Sequence, residues 1–92
     1  NSICLASAAV KLHPADVERI LVEFGKRLRS ARTRRGWSQE ELAHQSKLHR
    51  NHVGRLERGQ ENPTLLIIAR LAVALDVPLA RLLPRFAPPT ER

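Results

Sequence analysis

Four positions in the middle of the chain combine hydrogen-bonding side chains with the spacing of a single helical face: Asn51, Gly54, Arg55 and Arg58. That face carries one amide, two guanidinium groups and one position without a side chain. An amide can pair in bidentate fashion with adenine and a guanidinium with guanine, each contributing about 1–3 kcal/mol of discrimination between bases. The chemistry on offer is hydrogen-bond recognition, with Gly54 allowing the backbone to approach a groove wall and Arg50 at the leading end reaching bases or phosphate.

The remaining polar residues predict neither a catalytic set nor a metal site. No nucleophile is paired with a base, no glycine loop could cradle a phosphate, and no two carboxylates share a plausible cleft. His44, His49 and His52 are close in sequence, but His44 and His49 lie on opposite sides of a predicted turn. No cysteine or carboxylate joins them at ligand spacing. We therefore expect no metal, no cofactor and no enzymatic activity.

The elements that position these residues are predicted to be five helices. The first begins near Pro14 and ends before Gly36. Its apolar residues recur at steps of three and four, which gives one buried stripe: Val17, Leu21, Phe24, Leu28 and Ala31. Arg34 and Arg35 place positive charge at its negative end. Trp37, at the junction with the second helix, is expected to be partly buried core and not a stacking platform.

The second and third helices are short. Ser38 and Glu41 form a predicted capping box at the start of the second helix, which fades near Ser46. After a turn, the third helix opens with His49 at its N-cap position and ends at Gly59. Its inward face is supplied by Val53 and Leu56. Two short helices joined by a tight turn form a helix-turn-helix motif over residues 38–59.

The last two helices complete the predicted core. Thr64 caps the fourth helix, Asp76 ends it, and Pro78 begins a short fifth helix that runs to Leu83. The inward positions of the fourth helix are Leu65, Ile68, Leu71, Ala72 and Leu75. No segment is typical of a strand, so the predicted fold class is all-α. We expect an N-terminal extension over 1–14, a helix-turn-helix domain over 15–83 and a tail over 84–92.

The charge of the chain favours a polyanionic partner. Sixteen Lys and Arg against nine Asp and Glu leave a formal net charge of +7 on 92 residues. Such an excess suits nucleic acid or an anionic membrane surface. Aromatic residues make up only 3%, which disfavours both a membrane-anchored helix and RNA binding by base stacking. The major groove of duplex DNA admits one α-helix, and the third helix is the candidate.

The residues resemble the lambda-repressor-like (XRE-type) helix-turn-helix family over residues 24–83. The resemblance is carried by Leu28-Arg29, by the run from Gly36 to Ala43, and by Leu56-Glu57-Arg58-Gly59. It continues through Pro63-Thr64, Ala69, Leu71-Ala72, Ala74-Leu75 and Val77. The segment 48–53 is also similar to the controller proteins of restriction–modification systems. Those usually carry a threonine and an aromatic residue where this chain has Asn51 and His52.

The resemblance implies a role for individual residues. Base contacts are expected from Arg50, Asn51 and Arg55. Gln39 is expected to contact phosphate and to brace the recognition helix, at a helix amino end whose free amides also suit phosphate. Further backbone contacts are predicted from Ser38, His52, Arg35 and Arg58. A structural ion pair between Arg32 and Glu57 is expected to tie the first helix to the third.

The predicted function is a sequence-specific regulator that binds double-stranded DNA as a homodimer in the cytoplasm. One such domain has a small footprint, so a two-fold dimer on a pseudo-palindromic site is expected. The predicted dimer surface is Leu79, Leu82, Leu83 and Phe86. The alternative is an antitoxin that also binds a toxin protein, for which 1–14 and 84–92 are the candidate extensions. The lone Cys4 fits a reducing compartment, and neither a signal peptide nor a membrane span is predicted.

Overall fold

The computed structural model describes residues 12–87, which form five helices and no strand. These are α1 (Pro14–Arg34), α2 (Gln39–Ser46), α3 (Arg50–Glu57), α4 (Leu65–Leu75) and α5 (Leu79–Leu82). The predicted all-α class is confirmed, and the helix order is the predicted one. Cys4, most of the predicted N-terminal extension and the end of the predicted tail lie outside the described residues.

Four helices begin at a side chain that accepts a hydrogen bond from a backbone amide: His13, Ser38, His49 and Thr64. Such N-caps satisfy an amide that has no partner inside the helix, and each contributes about 1 kcal/mol. One of the two hydrogen bonds of the predicted capping box forms: Ser38 Oγ accepts from the Glu41 amide at 3.0 Å. The Glu41 carboxylate instead accepts from Gln45 Nε2, at 2.7 Å.

Four of the five helices are followed by a residue with left-handed backbone. Gly36 and Gly59 have φ of +73° and +72° and follow α1 and α3. Two residues with side chains take the same conformation: Lys47 after α2 and Asp76 after α4, with φ of 60° and 56°. A left-handed residue with a Cβ costs roughly 1–2 kcal/mol. In both turns the amide of that residue donates to a carbonyl of the helix it ends, His44 for Lys47 and Val73 for Asp76.

The core is built from one inward row of each helix. Its fully enclosed side chains are Leu28, Leu42, Val53, Leu56, Leu71, Leu75 and Leu82. Phe24, Ile68 and the alanines Ala31, Ala43 and Ala72 complete it, and Trp37 and Leu48 pack against its edge. Two predicted core residues lie on the surface: Val17 is 40% exposed and Leu65 is 62% exposed. Both lie in the first turn of a helix.

Leu82 corrects the predicted dimer surface. Its side chain has no exposed area because α5 packs against both α1 and α4 and turns this residue into the core. A side chain without exposed surface cannot contribute apolar contact to a partner. The rest of the predicted set, Leu79, Leu83 and Phe86, keeps partial exposure.

Helices α1 and α3 approach each other closely at Gly25. A Cβ at this position would lie 2.7 Å from the carbonyl oxygen of Leu56 and closer still to that of Glu57. These are backbone atoms, which cannot move aside as a flexible side chain can. Gly25 therefore sets the distance between α1 and the carboxyl end of α3.

Arginine side chains tie helix ends to neighbouring elements. Arg70 of α4 donates from Nη2 to the carbonyls of Ser46 and Lys47, at 3.1 and 2.7 Å. Arg35 donates to the carbonyl of Leu75 at 3.2 Å. Because the last carbonyls of a helix lack partners and carry partial negative charge, a guanidinium there stabilises the end. Part of the excess positive charge therefore stabilises the fold itself.

Candidate nucleic-acid interface

Helices α2 and α3 and the turn between them form the motif predicted from residues 38–59. Leu48 packs its side chain against the core, and its amide donates to the Ala43 carbonyl at 2.9 Å. The Lys47 amide donates to His44, and Lys47 itself is left-handed. These bonds close the carboxyl end of α2 and redirect the chain within three residues. The predicted N-cap His49 then starts α3, its Nδ1 accepting from the Asn51 amide at 3.1 Å.

Arg32 and Glu57, the predicted ion pair, face each other across α1 and α3. Arg32 Nε lies 2.6 Å from Glu57 Oε2, and Arg32 Nη2 lies 3.1 Å from Glu57 Oε1. The remaining Nη1 donates to the Trp37 carbonyl at 2.8 Å. Only 11% of the Arg32 side chain and 3% of the Glu57 side chain are exposed. A bidentate pair with this degree of burial fixes the relative position of the two helices.

Gln39 joins this pair from α2. Its Nε2 donates to Glu57 Oε1 at 3.0 Å, so Glu57 receives hydrogen bonds from α1 and from α2. We call Arg32, Glu57 and Gln39 the bracket. The bracket holds the first turn of α2 beside α3, which is the bracing expected of Gln39. The other expected role of Gln39, a phosphate contact, stays a prediction.

The sequence predicts that Gly54 lets the backbone approach a groove wall, but in the structure Gly54 is not open to one. It is buried, and a Cβ there would lie 3.1 Å from Arg58 Nη1 and 3.6 Å from Gln39 Oε1. The Arg58 side chain folds back over this position, and its Nε donates to Gln60 Oε1 at 3.0 Å. The glycine therefore makes room for side chains of the motif itself.

The predicted base-contacting residues project outward from α3, with Arg50 and Asn51 in its first turn and Arg55 in its last. Arg50, Asn51 and Arg55 are all exposed. Within residues 12–87, the side chains of Arg50 and Asn51 make no hydrogen bond or ion pair. Their donors are therefore available to an external partner. Arg55 differs, because it is engaged by a residue that the sequence interpretation did not single out.

That residue is Glu61, in the loop between α3 and α4. Its Oε1 accepts from Arg55 Nε at 2.7 Å, and its Oε2 lies 2.9 Å from His52 Nε2. The hydrogen bond from Arg55 and the nearby His52 lower the pKa of Glu61 below its ordinary value of 4.5. Since Glu61 follows a turn, no helical spacing relates it to Arg55. Only its charge and its nearness in sequence could have drawn attention to it.

Arg35, one of the predicted DNA backbone contacts, is exposed but also has partners within the fold, and its contact with DNA stays a prediction. Its guanidinium stacks over the Trp37 ring, 4.5 Å from the ring centroid, besides donating to Leu75. A stacked guanidinium with a carbonyl partner already has a structural role. Trp37 is partly buried against the core, as expected. Ser38 and His52 remain at the edge of the motif, where Ser38 serves as N-cap and His52 pairs with Glu61.

The described residues form neither a metal site nor a membrane-spanning helix. No group of three or more His, Cys, Asp or Glu between residues 12 and 87 is arranged to hold a metal ion. Over the same stretch, no helix is long and apolar enough to cross a bilayer. The fold and the motif together define a helix-turn-helix DNA-binding domain of the transcription-regulator class.

Comparison with known proteins identifies the family. The HTH_3 family, described as helix-turn-helix, matches residues 28–82, and the chain belongs to it. This is a family of transcription regulators and not of enzymes. The match includes the carboxyl end of α1 and the whole of α2, α3, α4 and α5.

Individual relatives carry two kinds of name. A hypothetical transcription factor of Neisseria meningitidis serogroup B is 45% identical over 65 residues, which are 71% of this chain and 58% of that relative. Control protein C.SmaI of Serratia marcescens is 41% identical over 70 residues, covering 76% of this chain and 80% of that protein. The chain thus spans little more than half of the first relative.

A solved structure gives the same resemblance. The restriction–modification controller protein C.AhdI of Aeromonas hydrophila is 53% identical, with a TM-score of 0.66 over 67% of this chain and 94% of that chain. The Neisseria transcription factor aligns with a TM-score of 0.70 at 35% identity, over 80% of this chain and 85% of that chain. The chain is therefore a helix-turn-helix regulator that resembles controller proteins.

Proposed function

We propose that the chain binds a specific duplex DNA sequence as a homodimer, with α3 in the major groove. The observation that carries the proposal is the division of side chains on α3. Glu57 is held by the bracket, while Arg50 and Asn51 extend outward without partners among the described residues. A helix fixed on one side and furnished with free bidentate donors on the other suits base recognition.

The bracket also supports a role for the amino end of α2. Because Gln39 binds Glu57, the first turn of α2 is held beside the recognition helix. In this docking mode the helix before the recognition helix crosses the DNA backbone. The free amides of its first turn, with Ser38 and Gln39, are proposed to meet a phosphate there.

The two roles predict different losses in two variants. Arg55→Ala is expected to reduce binding to the specific duplex by about 1–3 kcal/mol more than binding to random duplex. Gln39→Ala is expected to weaken both more evenly, because a phosphate contact carries no sequence information. The measurement is fluorescence titration at one fixed salt concentration, since the phosphate contribution changes steeply with salt. The specific duplex is the one that the unaltered chain selects from a random pool.

Arg29→Ala is the matched control for Arg55. Arg29 is exposed on α1, and its replacement removes the same charge from a different face. The control should change specific and random binding alike. Equal losses on both duplexes for Arg55→Ala would contradict base reading by Arg55. Thermal melting of each variant identifies any loss that comes from unfolding, which matters most for Gln39.

The controller resemblance suggests which kind of regulator this is. C.AhdI and C.SmaI are named as controller proteins, and C.AhdI is matched over 94% of its length. We propose that this chain is a regulator of the same kind. The genes beside its own test the idea: a restriction endonuclease and a methyltransferase support it, and a toxin gene would favour the antitoxin alternative. No contact among residues 12–87 favours the antitoxin.

A further inference from the structure

Glu61 binds Arg55 through one of its donors, Nε. The carboxylate binds Nε of the guanidinium and leaves the two terminal amino groups without a hydrogen bond among the described residues. A guanidinium can meet guanine through its two terminal nitrogens, or sideways through Nε and one terminal nitrogen. With Nε occupied, only the terminal fork remains for bidentate pairing.

The Glu61 carboxylate has two partners, one for each oxygen. While Oε1 binds Arg55, Oε2 lies against His52, one turn earlier on α3. Two partners fix the orientation of the carboxylate better than one. The Glu61 side chain is 33% exposed and that of Arg55 is 47% exposed, so the pair stands at the edge of the interface and not within the core.

The arginine that directly follows α3 is held in the same manner. Arg58 Nε donates to Gln60 Oε1, the residue before Glu61. The loop after α3 thus presents two successive acceptors, each to the Nε of one arginine. In a long flexible side chain, such a contact reduces the conformational freedom that would otherwise be lost on binding.

We propose that Glu61 is a specificity-determining positioning residue, which directs the terminal fork of Arg55 towards one guanine. This inference rests on the proposed function, in which Arg55 reads a base. The carboxylate also disfavours a nearby phosphate by like-charge repulsion, which keeps Arg55 from turning to the DNA backbone. Glu61 acts through Arg55 and is not itself required to touch DNA.

The test measures discrimination and not affinity alone. The probes are the duplex selected by the unaltered chain, the same duplex with each guanine of the half-site changed singly to adenine, and a random duplex. Arg55→Ala first identifies the guanine whose replacement no longer matters. Glu61→Ala is then expected to reduce discrimination at that base pair by about tenfold, while binding to random duplex stays equal or improves as a negative charge is removed.

Three further variants make the result specific. Glu61→Gln keeps an acceptor for Nε and should retain most of the discrimination. Glu18→Ala removes a negative charge from an exposed position on α1 and should leave it unchanged. In an Arg55→Ala background, Glu61→Ala should have no effect at that base pair. This last comparison separates coupling through Arg55 from a general effect of charge.

Two outcomes would overturn parts of the argument separately. If Glu61→Ala improves binding to every duplex by the same factor, Glu61 only competes with DNA for Arg55, and the positioning role is wrong. If Arg55→Ala changes no base preference, the failure lies with the proposed base reader. Melting curves identify unfolding, which is not expected from a partly exposed loop residue.

Discussion

At the scale of single residues, the side chains of the interface fall into two groups: those that fix α3 to the rest of the fold and those that project outward from it. Glu57 is almost wholly buried and accepts from Arg32 and Gln39, whereas Arg50 and Asn51 lie on the surface. Glu61 stands between these groups, since it is partly exposed and binds both Arg55 and His52. Its protonation therefore reports directly on the state of Arg55.

The titration of Glu61 gives a prediction. Arg55 lowers its pKa below 4.5 by a hydrogen bond, and His52 lowers it further by charge. A carboxyl whose folded pKa is depressed contributes stability above its unfolded pKa and loses it as pH falls through the folded pKa. The contact with Arg55 should thus be complete at neutral pH and lost only in acid. A carbon NMR titration of the Glu61 carboxyl checks this.

The variant for that titration is Arg55→Ala. It should return the midpoint of Glu61 towards 4.5, because the main cause of the lowered pKa is gone. A Glu61 midpoint at or above 4.5 in the unaltered chain would show that the pair with Arg55 does not persist in solution.

The sequence predicted the outward residues better than their neighbours. Asn51 and Arg55 could be assigned to one exposed face because helical spacing relates them. Glu61 and the buried place of Gly54 could not be predicted, since both depend on how a side chain folds back after the helix has ended. Spacing within a helix carries no information about such a return.

At the scale of elements, α2 and α3 depend on α1. Each has eight residues, and helices shorter than about 12–15 residues are marginal in isolation. Their stability comes from the core and from the bracket, which connects all three helices through Glu57. The caps at Ser38, His49 and Thr64 could be predicted because N-cap chemistry is local. The exposure of Val17 and Leu65 could not, because helical periodicity does not show which positions at a helix end the rest of the fold covers.

Breaking the bracket should be costly. Glu57→Ala leaves the buried Arg32 without its carboxylate and is expected to lower the free energy of unfolding by about 3–5 kcal/mol. Glu23→Ala removes a partly exposed ion pair with Arg27 on α1 and should lower it by less than about 1 kcal/mol. Urea unfolding followed by circular dichroism compares the two. Similar small losses would mean that the bracket contributes no more than a surface pair.

At the scale of the whole molecule, two groups of exposed apolar residues are candidates for an association surface. Leu79 and Leu83 of the predicted dimer surface are 36% and 37% exposed, and Phe86 is partly covered by Arg19. On α4, Leu66 and Val73 are 76% and 80% exposed. Both groups offer apolar area beyond what the core uses, which is common at association surfaces.

The proposed homodimer is tested by one substitution in each group. Leu83→Asp should give monomers in sedimentation velocity, because it places a charge within the proposed apolar contact. Val73→Asp is the matched variant on the other surface and should leave the dimer intact. The opposite result would assign dimerisation to α4, and two unchanged dimers would reject both surfaces. Binding to the selected duplex should weaken together with dimerisation.

The net charge of +7 also has a different meaning once the fold is known. Arg32, Arg35 and Arg70 are engaged with a carboxylate or with helix carbonyls. These charges contribute to the fold as well as to the general attraction for DNA. The sequence alone gives the number of arginines. It does not show which of them bind other parts of the fold, because that depends on which helix ends come together.

The bracket has a consequence for how this domain can change over time. The residues that hold α3 in place, Arg32, Gln39 and Glu57, are different from those proposed to read bases. Residues 50, 51 and 55 can therefore be exchanged as a set without disturbing what keeps the domain folded. New target sequences become accessible through few substitutions, and a scaffold of this kind is suited to diversification among related DNA sites.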